Sequence, residues 1–238
     1  MRVSLFIPCF VDQLVPRVGL AAARVLRGLG HEVEFREAQT CCGQPSYNAG
    51  HWDQARSAAL RALDVFAGAE AVVGPSASCV AMMRRFYPDV LAGHPRLEEA
   101  RALGARTFEF GEFLVRRLGV TDVGARLDGV AAIHDGCHGL RELGLRPEAR
   151  ALLGAVRGLR LVEAEEADTC CGFGGLFAVK FPMISTAMAQ VKCDALVRSG
   201  ADLVVSSDPS CLLQIGGYLT RQGKAIRTLH LAEVLAAR

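Results

Sequence analysis

One tetrapeptide, Thr-Cys-Cys-Gly, occurs twice in the chain, at residues 40–43 and 169–172. Each copy has one cysteine upstream and one downstream at similar distances, 32 and 37 residues from the vicinal pair in the first set and 33 and 40 in the second. Eight of the nine cysteines therefore form two matching sets of four: Cys9, Cys41, Cys42, Cys79 and Cys137, Cys170, Cys171, Cys211. This pattern constrains the fold, because it predicts a duplicated unit that brings distant thiols together.

The segments around the two sets repeat as well. Short apolar runs alternate with longer segments whose apolar residues have helical spacing, which is typical of α/β folds with mainly parallel sheets. We predict two tandem, similar, Rossmann-like α/β halves related by internal duplication, a first cysteine-rich domain over 1–120 and a second over 121–238. The predicted strands are 3–7, 32–36, 71–73, 106–110, 130–133, 159–162, 203–205 and 226–229; the predicted helices are 15–29, 52–66, 112–118, 147–156, 184–197 and 233–235.

Each cysteine of a set follows a predicted strand closely. In parallel sheets, functional groups gather in the loops at the carboxyl ends of the strands. The segments 75–78 and 206–210 read as turns that position Cys79 and Cys211. We therefore expect the four thiols of each set to meet at one edge of a sheet.

Composition narrows the class of protein. With 238 residues, 51% hydrophobic and 22% charged, the chain is typical of a globular protein. A net charge of +2 without a basic cluster predicts no nucleic-acid partner. No apolar run reaches the ~20 residues of a transmembrane helix, and the segment 2–9 reads as a strand, not a signal sequence. We expect a cytoplasmic protein, where thiols stay reduced and cysteines serve metal or redox chemistry.

Four thiolates at one place suit zinc or an iron–sulfur cluster, because soft sulfur ligands favour these metals. Two adjacent cysteines disfavour a single tetrahedral ion but can reach different irons of one cluster. A disulfide between them would close a strained ring. Thiol–disulfide chemistry by the vicinal pairs stays open as an alternative, since it needs only exposed thiolates of low pKa.

Several other residues have simpler interpretations. Cys193 has no counterpart in the first repeat and is expected to pack in the core, as are Met82 and Met83. His134 and His138 flank Cys137, where they could supply a ligand or move protons. We expect both to be loop histidines that form hydrogen bonds with the backbone.

In the helix 184–197 the apolar residues expected to face the core are Ile184, Ala187, Met188, Val191 and Ala195.

These motifs resemble the cysteine-rich Cys-Cys-Gly domain family, which includes the B subunit of heterodisulfide reductases and the iron–sulfur subunit of glycolate oxidase. Within it the chain is similar over its whole length to the lactate utilization protein A group, which consists of two such domains. The likeness is carried by the segments 40–45, 78–79, 168–175, 179–180, 210–213 and 230–235.

The resemblance implies an iron–sulfur electron-transfer subunit of a system that oxidises L-lactate to pyruvate, acting with sister iron–sulfur and accessory subunits. It also implies cluster ligation by the eight cysteines of the two sets. In the heterodisulfide reductase relatives each motif has a fifth cysteine, and these positions are here Met82 and Gln214. A four-cysteine cluster of the 4Fe–4S type in each set is therefore expected. The alternatives are a zinc-stabilised scaffold with zinc in one set, an empty site, and a thiol–disulfide oxidoreductase component.

Overall fold

A computed structural model describes residues 1–238, and its strands form two four-stranded sheets in which all neighbouring strands are parallel. The first sheet has the order β2-β1-β3-β4 and the second the order β6-β5-β7-β8. The orders coincide when each strand is matched with the one four places later, which confirms the predicted pair of similar α/β halves. The strands are β1 Arg2–Leu5, β2 Glu32–Phe35, β3 Ala71–Gly74, β4 Thr107–Glu109, β5 Arg126–Ile133, β6 Arg157–Val162, β7 Leu203–Ser206 and β8 Arg227–His230.

Helices cover both sheets, as parallel sheets require. In the first half they are α1 Cys9–Leu14, α2 Pro16–Gly28, α3 Gln44–Asn48, α4 Trp52–Val65, α5 Ala77–Ala81, α6 Tyr87–Val90, α7 Leu97–Ala105 and α8 Phe110–Glu112. A π-helical turn, Met82–Phe86, joins α5 to α6, and a second, Phe113–Arg117, extends α8. None of the helices in the chain has the length and hydrophobicity needed to cross a membrane.

In the second half the helices are α9 Cys137–Glu142, α10 Pro147–Gly154, α11 Leu176–Lys180, α12 Pro182–Arg198, α13 Pro209–Arg221 and α14 Leu231–Leu235. Four helices of the molecule, α2, α10, α12 and α13, begin with proline, whose fixed φ suits the first helical position. The strands β3 and β7 are buried along their whole length, as central strands of covered parallel sheets.

The two halves share one hydrophobic core. Its largest cluster contains 23 buried residues drawn from both sheets, among them Val73 and Val205. The last helix of each half packs on the other half, α14 on α2 and α8 on α10. An ion pair joins each contact, Arg17 to Glu233 at 2.6 Å and Arg116 to Glu148 at 2.5 Å. The division into 1–120 and 121–238 stays a prediction; the first sheet ends at 109 and the second begins at 126.

Two local predictions differ from the structure. The predicted turns before Cys79 and Cys211 are shorter than expected, because helices begin at Ala77 and Pro209, and each cysteine is the third residue of its helix, α5 or α13. In α12 the predicted inward face is largely outward, since Ile184 and Val191 are 55% and 50% exposed. Of that face Ala195 is buried, and the helix also buries Ser185, Ala189, Lys192, Cys193 and Leu196.

Candidate metal centres

The eight cysteines of the two sets lie at the carboxyl ends of parallel strands. Cys9 is the first residue of α1, directly beyond β1, and Cys137 is the first residue of α9, directly beyond β5. The vicinal pairs lie in the loops after β2 and β6, and the last cysteine of each set is in the first turn of the helix after β3 or β7. The parallel order of these strands places all four loops of a set at one sheet edge.

Within each set the thiols contact one another in chain order. The thiol of Cys9 interacts with that of Cys41, and the vicinal pair leads on to Cys79. The second set repeats this order from Cys137 through its vicinal pair to Cys211. The fold thus brings the thiols of each predicted set together, although they are distant in sequence. Ligation of a metal by them stays a prediction.

One thiol in each set is strongly acidified by its neighbours. Hydrogen bonds from Cys42 and Cys9 lower the pKa of Cys41 to about 3. In the second set the equivalent contacts, that with Cys137 first, lower the pKa of Cys170 to about 2. The neighbouring thiols therefore favour the thiolate form of one cysteine in each set, and thiolates are the form of cysteine that binds soft metals.

The glycine after each vicinal pair shapes the loop around this thiolate. Gly43 and Gly172 have φ of +86° and +85°, a conformation that costs other residues free energy. Their backbone N–H groups donate to the sulfurs of Cys41 and Cys170, at 3.5 and 3.4 Å. A Cβ on Gly172 would lie 2.6 Å from the Ser185 carbonyl oxygen of α12. The glycines therefore combine a tight turn with close approach to a helix.

Both sets open onto a single cavity of about 150 Å³ between the halves, and all eight cysteines line it. The halves also contact each other around it. Phe10 meets Phe173 edge to face at 5.7 Å between ring centroids, and the Ser78 N–H donates to Asp208 at 2.9 Å. Cys9 is exposed, whereas no cysteine of the second set is. Any two metal centres held here would share one cavity but differ in access to solvent.

The comparisons with known proteins agree with this arrangement. The profile of the cysteine-rich domain family, CCG, matches the chain at residues 3–84 and again at 131–216. Lactate utilization protein A 2 of Bacillus mycoides is 44% identical, and lactate utilization protein A 1 of Bacillus cereus is 45% identical, both over 100% of this chain and of the relative. The chain belongs to the lactate utilization protein A family.

A solved structure supports the fold of this family member. A hypothetical protein from Helicobacter pylori superposes with a TM-score of 0.65 at 13% identity, over 98% of this chain and 48% of that chain. The chain thus spans about half the length of that protein. At this level of identity the likeness concerns the fold alone.

The histidines beside Cys137 differ from the prediction of loop histidines bonded to the backbone. The His138 ring contacts side chains, with Nδ1 3.6 Å from the Cys137 sulfur and Nε2 3.3 Å from Gln44 Nε2. The His134 ring is buried, and neither of its nitrogens has a hydrogen-bond partner. Burial lowers the pKa of His134 to about 3, so the ring is neutral at neutral pH. The second set therefore has a buried imidazole beside it.

Three sulfur-containing side chains outside the two sets, Met82, Met83 and Cys193, are structural. Met82 and Met83 are fully buried in the first-half core, and Cys193 is buried in the second-half core, as predicted. Burial raises the pKa of Cys193 to about 12, which makes this thiol unreactive. Gln214 Nε2 donates to Ser185 Oγ at 2.9 Å. Neither position 82 nor position 214 therefore supplies a further sulfur ligand.

Sequence reasoning missed two residues that support the loops of the vicinal pairs. The buried Tyr87 hydroxyl donates to the Cys42 carbonyl at 3.1 Å. In the second half the Lys192 ammonium, which is buried in α12, donates to the Glu166 carbonyl. Each lies more than 20 residues from the loop that it supports, and no local pattern marks either of them.

Proposed function

We propose that this protein is the iron–sulfur electron-transfer subunit of a system that oxidises L-lactate to pyruvate, with one 4Fe–4S cluster in each set of cysteines. The observation that carries the proposal is the meeting of two complete thiol quartets on one cavity, in a chain that is 44% identical to lactate utilization protein A over its full length. The proposal includes a cytoplasmic location and sister iron–sulfur and accessory subunits as partners.

The donor atoms suit this cofactor. Each set offers four sulfurs that line the shared cavity and interact in chain order, and iron–sulfur clusters are held by cysteine thiolates. When bound, such clusters accept and release single electrons. The chain's own contribution is to hold the thiols, to donate the Gly43 and Gly172 N–H groups to sulfur, and to limit solvent access. These hydrogen bonds and this burial tune the potential of a cluster.

Under this proposal, the oxidation of lactate to pyruvate itself takes place in a partner subunit. The sequence Gly172-Phe173-Gly174-Gly175 lacks the strand-to-helix glycine fingerprint of a dinucleotide site. Oxidation of lactate to pyruvate releases two electrons and two protons. Under this proposal the electrons pass from the partner to this chain one at a time.

Metal analysis of oxygen-free protein tests the proposal. After reconstitution with iron and sulfide, we expect a brown protein with about eight irons per chain, about four for each filled set. Cys41→Ser and Cys170→Ser should each remove about half of the iron, because each deletes the thiolate of one set. Cys193→Ala is the matched control, since this buried thiol lies outside both sets, and should leave the iron content unchanged. Colourless wild-type protein would overturn the proposal.

A zinc ion in one set is the second candidate. It is favoured in the second set, where a His134 ring nitrogen and the sulfurs of Cys171 and Cys211 lie within 4.8 Å of one another, because zinc accepts mixed nitrogen and sulfur ligands. Stoichiometric zinc in protein purified without added iron would support a stabilising role for that set. Thiol–disulfide exchange by the vicinal pairs is the third reading, and finding all eight thiols bound to metal would exclude it.

A further inference from the structure

The two halves differ at one buried position beside the cysteines. Cys9 corresponds to Cys137, and counting back three residues from each matches Phe6 with His134. Phe6 is buried in an apolar environment, with its ring edge to face against Phe66 at 5.9 Å. His134 occupies the same place in the second half and is only 2% exposed. A polar ring thus replaces an apolar one at a buried position.

The His134 ring is not explained by protein hydrogen bonds. Both ring nitrogens are buried without a partner, whereas buried polar groups in folded proteins nearly always have one. One ring nitrogen lies within 4.8 Å of the sulfurs of both Cys171 and Cys211, which are also buried. An imidazole nitrogen beside two thiols is a mixed donor set that binds transition metals. The unpaired nitrogen is therefore directed toward the same centre as the cysteines.

A second small cavity lies against His134. It measures about 20 Å³, is lined by Glu109, His134, Asp135 and Ser207 among others, and has room for about one water molecule. The Glu109 carboxyl group belongs to the first half, is buried, and has one oxygen, Oε1, without a partner. Histidine ligands generally donate their other ring N–H to a carboxylate, a carbonyl or a water. The small cavity leaves space for such a partner beside the His134 ring.

We propose that His134 is a nitrogen ligand of the metal centre in the second set. The centre of the first set is then held by sulfur alone, and that of the second by sulfur and imidazole. This inference rests on metal binding by the cysteines under the proposed function. It makes the two centres chemically different, because the second has a neutral nitrogen donor that the first lacks.

Pulsed electron paramagnetic resonance of the reduced, reconstituted protein tests this ligand. With ¹⁵N-labelled histidine, we expect a strong coupling to one directly bound histidine nitrogen. His134→Phe, which installs the residue of the first half, should abolish the coupling. His138→Gln is the matched control, because His138 is also close to a cysteine but has side-chain partners, and should retain it. A strong coupling that survives His134→Phe, or its absence from the wild type, would overturn the proposal.

A further variant separates loss of the ligand from loss of the fold. His134→Cys replaces nitrogen with sulfur and should retain the metal and lose the nitrogen coupling. If the second set binds zinc, the zinc is replaced with cobalt and the visible spectrum of the cobalt protein is recorded. A spectrum that is the same in His134→Phe as in the wild type would count against His134 as a ligand. Iron in both sets without histidine coupling would refute His134 alone. Protein without metal in either set would refute the proposed function as well.

Discussion

At the scale of single residues, the glycine after each vicinal pair has more structural roles than its place in a motif suggests. Gly172 combines a left-handed φ with a backbone that lies against α12, so that a side chain would meet both Ser185 and Met188. Gly43 has the same φ, and a Cβ there would lie 3.0 Å from the Ala58 Cβ of α4. The loop that orients the thiolates therefore requires glycine for conformation and for space.

We expect Gly172→Ala to lower the free energy of unfolding by about 2–4 kcal/mol, from left-handed strain and overpacking together. Gly200→Ala is the matched control, since Gly200 also has a positive φ of +70° but has open space around it. That variant should lose only about 1 kcal/mol. Denaturant unfolding of the two variants measures the difference, and equal losses would show that the contact with α12 contributes nothing.

At the scale of elements, the two halves end in the same way, with a short helix whose first residues form a capping box. In the first half Glu109 accepts from the Glu112 N–H at 2.9 Å. In the second half His230 takes the place of Glu109 and accepts from the Ala232 N–H at 3.0 Å. Burial raises the pKa of Glu109 to about 8, so this cap is protonated at neutral pH.

The raised pKa of Glu109 makes stability depend on pH. The unfolded chain releases this proton near pH 4.5, the ordinary pKa of a glutamate, and the folded chain releases it near 8, so the folded state binds more protons between these values. Stability should therefore fall as pH rises through that window, by at most about 1.4 kcal/mol per pH unit. Glu109→Gln should remove this part of the slope, while the exposed Glu98→Gln should not. Denaturant titrations between pH 5 and 8 would measure it, and parallel curves for wild type and Glu109→Gln would contradict the assignment.

Element packing also explains why the helical pattern of α12 does not predict its buried face. Periodicity marks Ile184 and Val191 as core residues, yet both are exposed. The cysteine loop lies against the Ser185 carbonyl and Met188, and the helix buries Ser185 and Ala189. A hydrophobic pattern reports which side chains are apolar, whereas the width of the gap between two elements decides which can be buried.

At the scale of the whole molecule, the two halves share one core, so they should unfold together. Leu152 of α10 is fully buried in the cluster that spans both sheets. Leu152→Ala should cost about 2–5 kcal/mol. Trp52, the sole tryptophan, lies in the first half and reports on it separately. In Leu152→Ala, the unfolding transition followed by Trp52 fluorescence should shift as much as the transition followed by circular dichroism. A shift of the dichroism transition alone would show that the halves unfold separately.

The sequence by itself determined the duplication, the parallel α/β class, the positions of the strands and the membership of the two cysteine sets. These features are encoded locally, in apolar runs, helical spacing and a repeated tetrapeptide. Only the tertiary structure decided that both sets line one cavity, that the last helix of each half packs on the other half, and that a ring nitrogen of His134 lies within 4.8 Å of the Cys171 and Cys211 sulfurs. Each of these depends on contacts between residues far apart in the chain, where no local pattern records which groups the fold brings into reach.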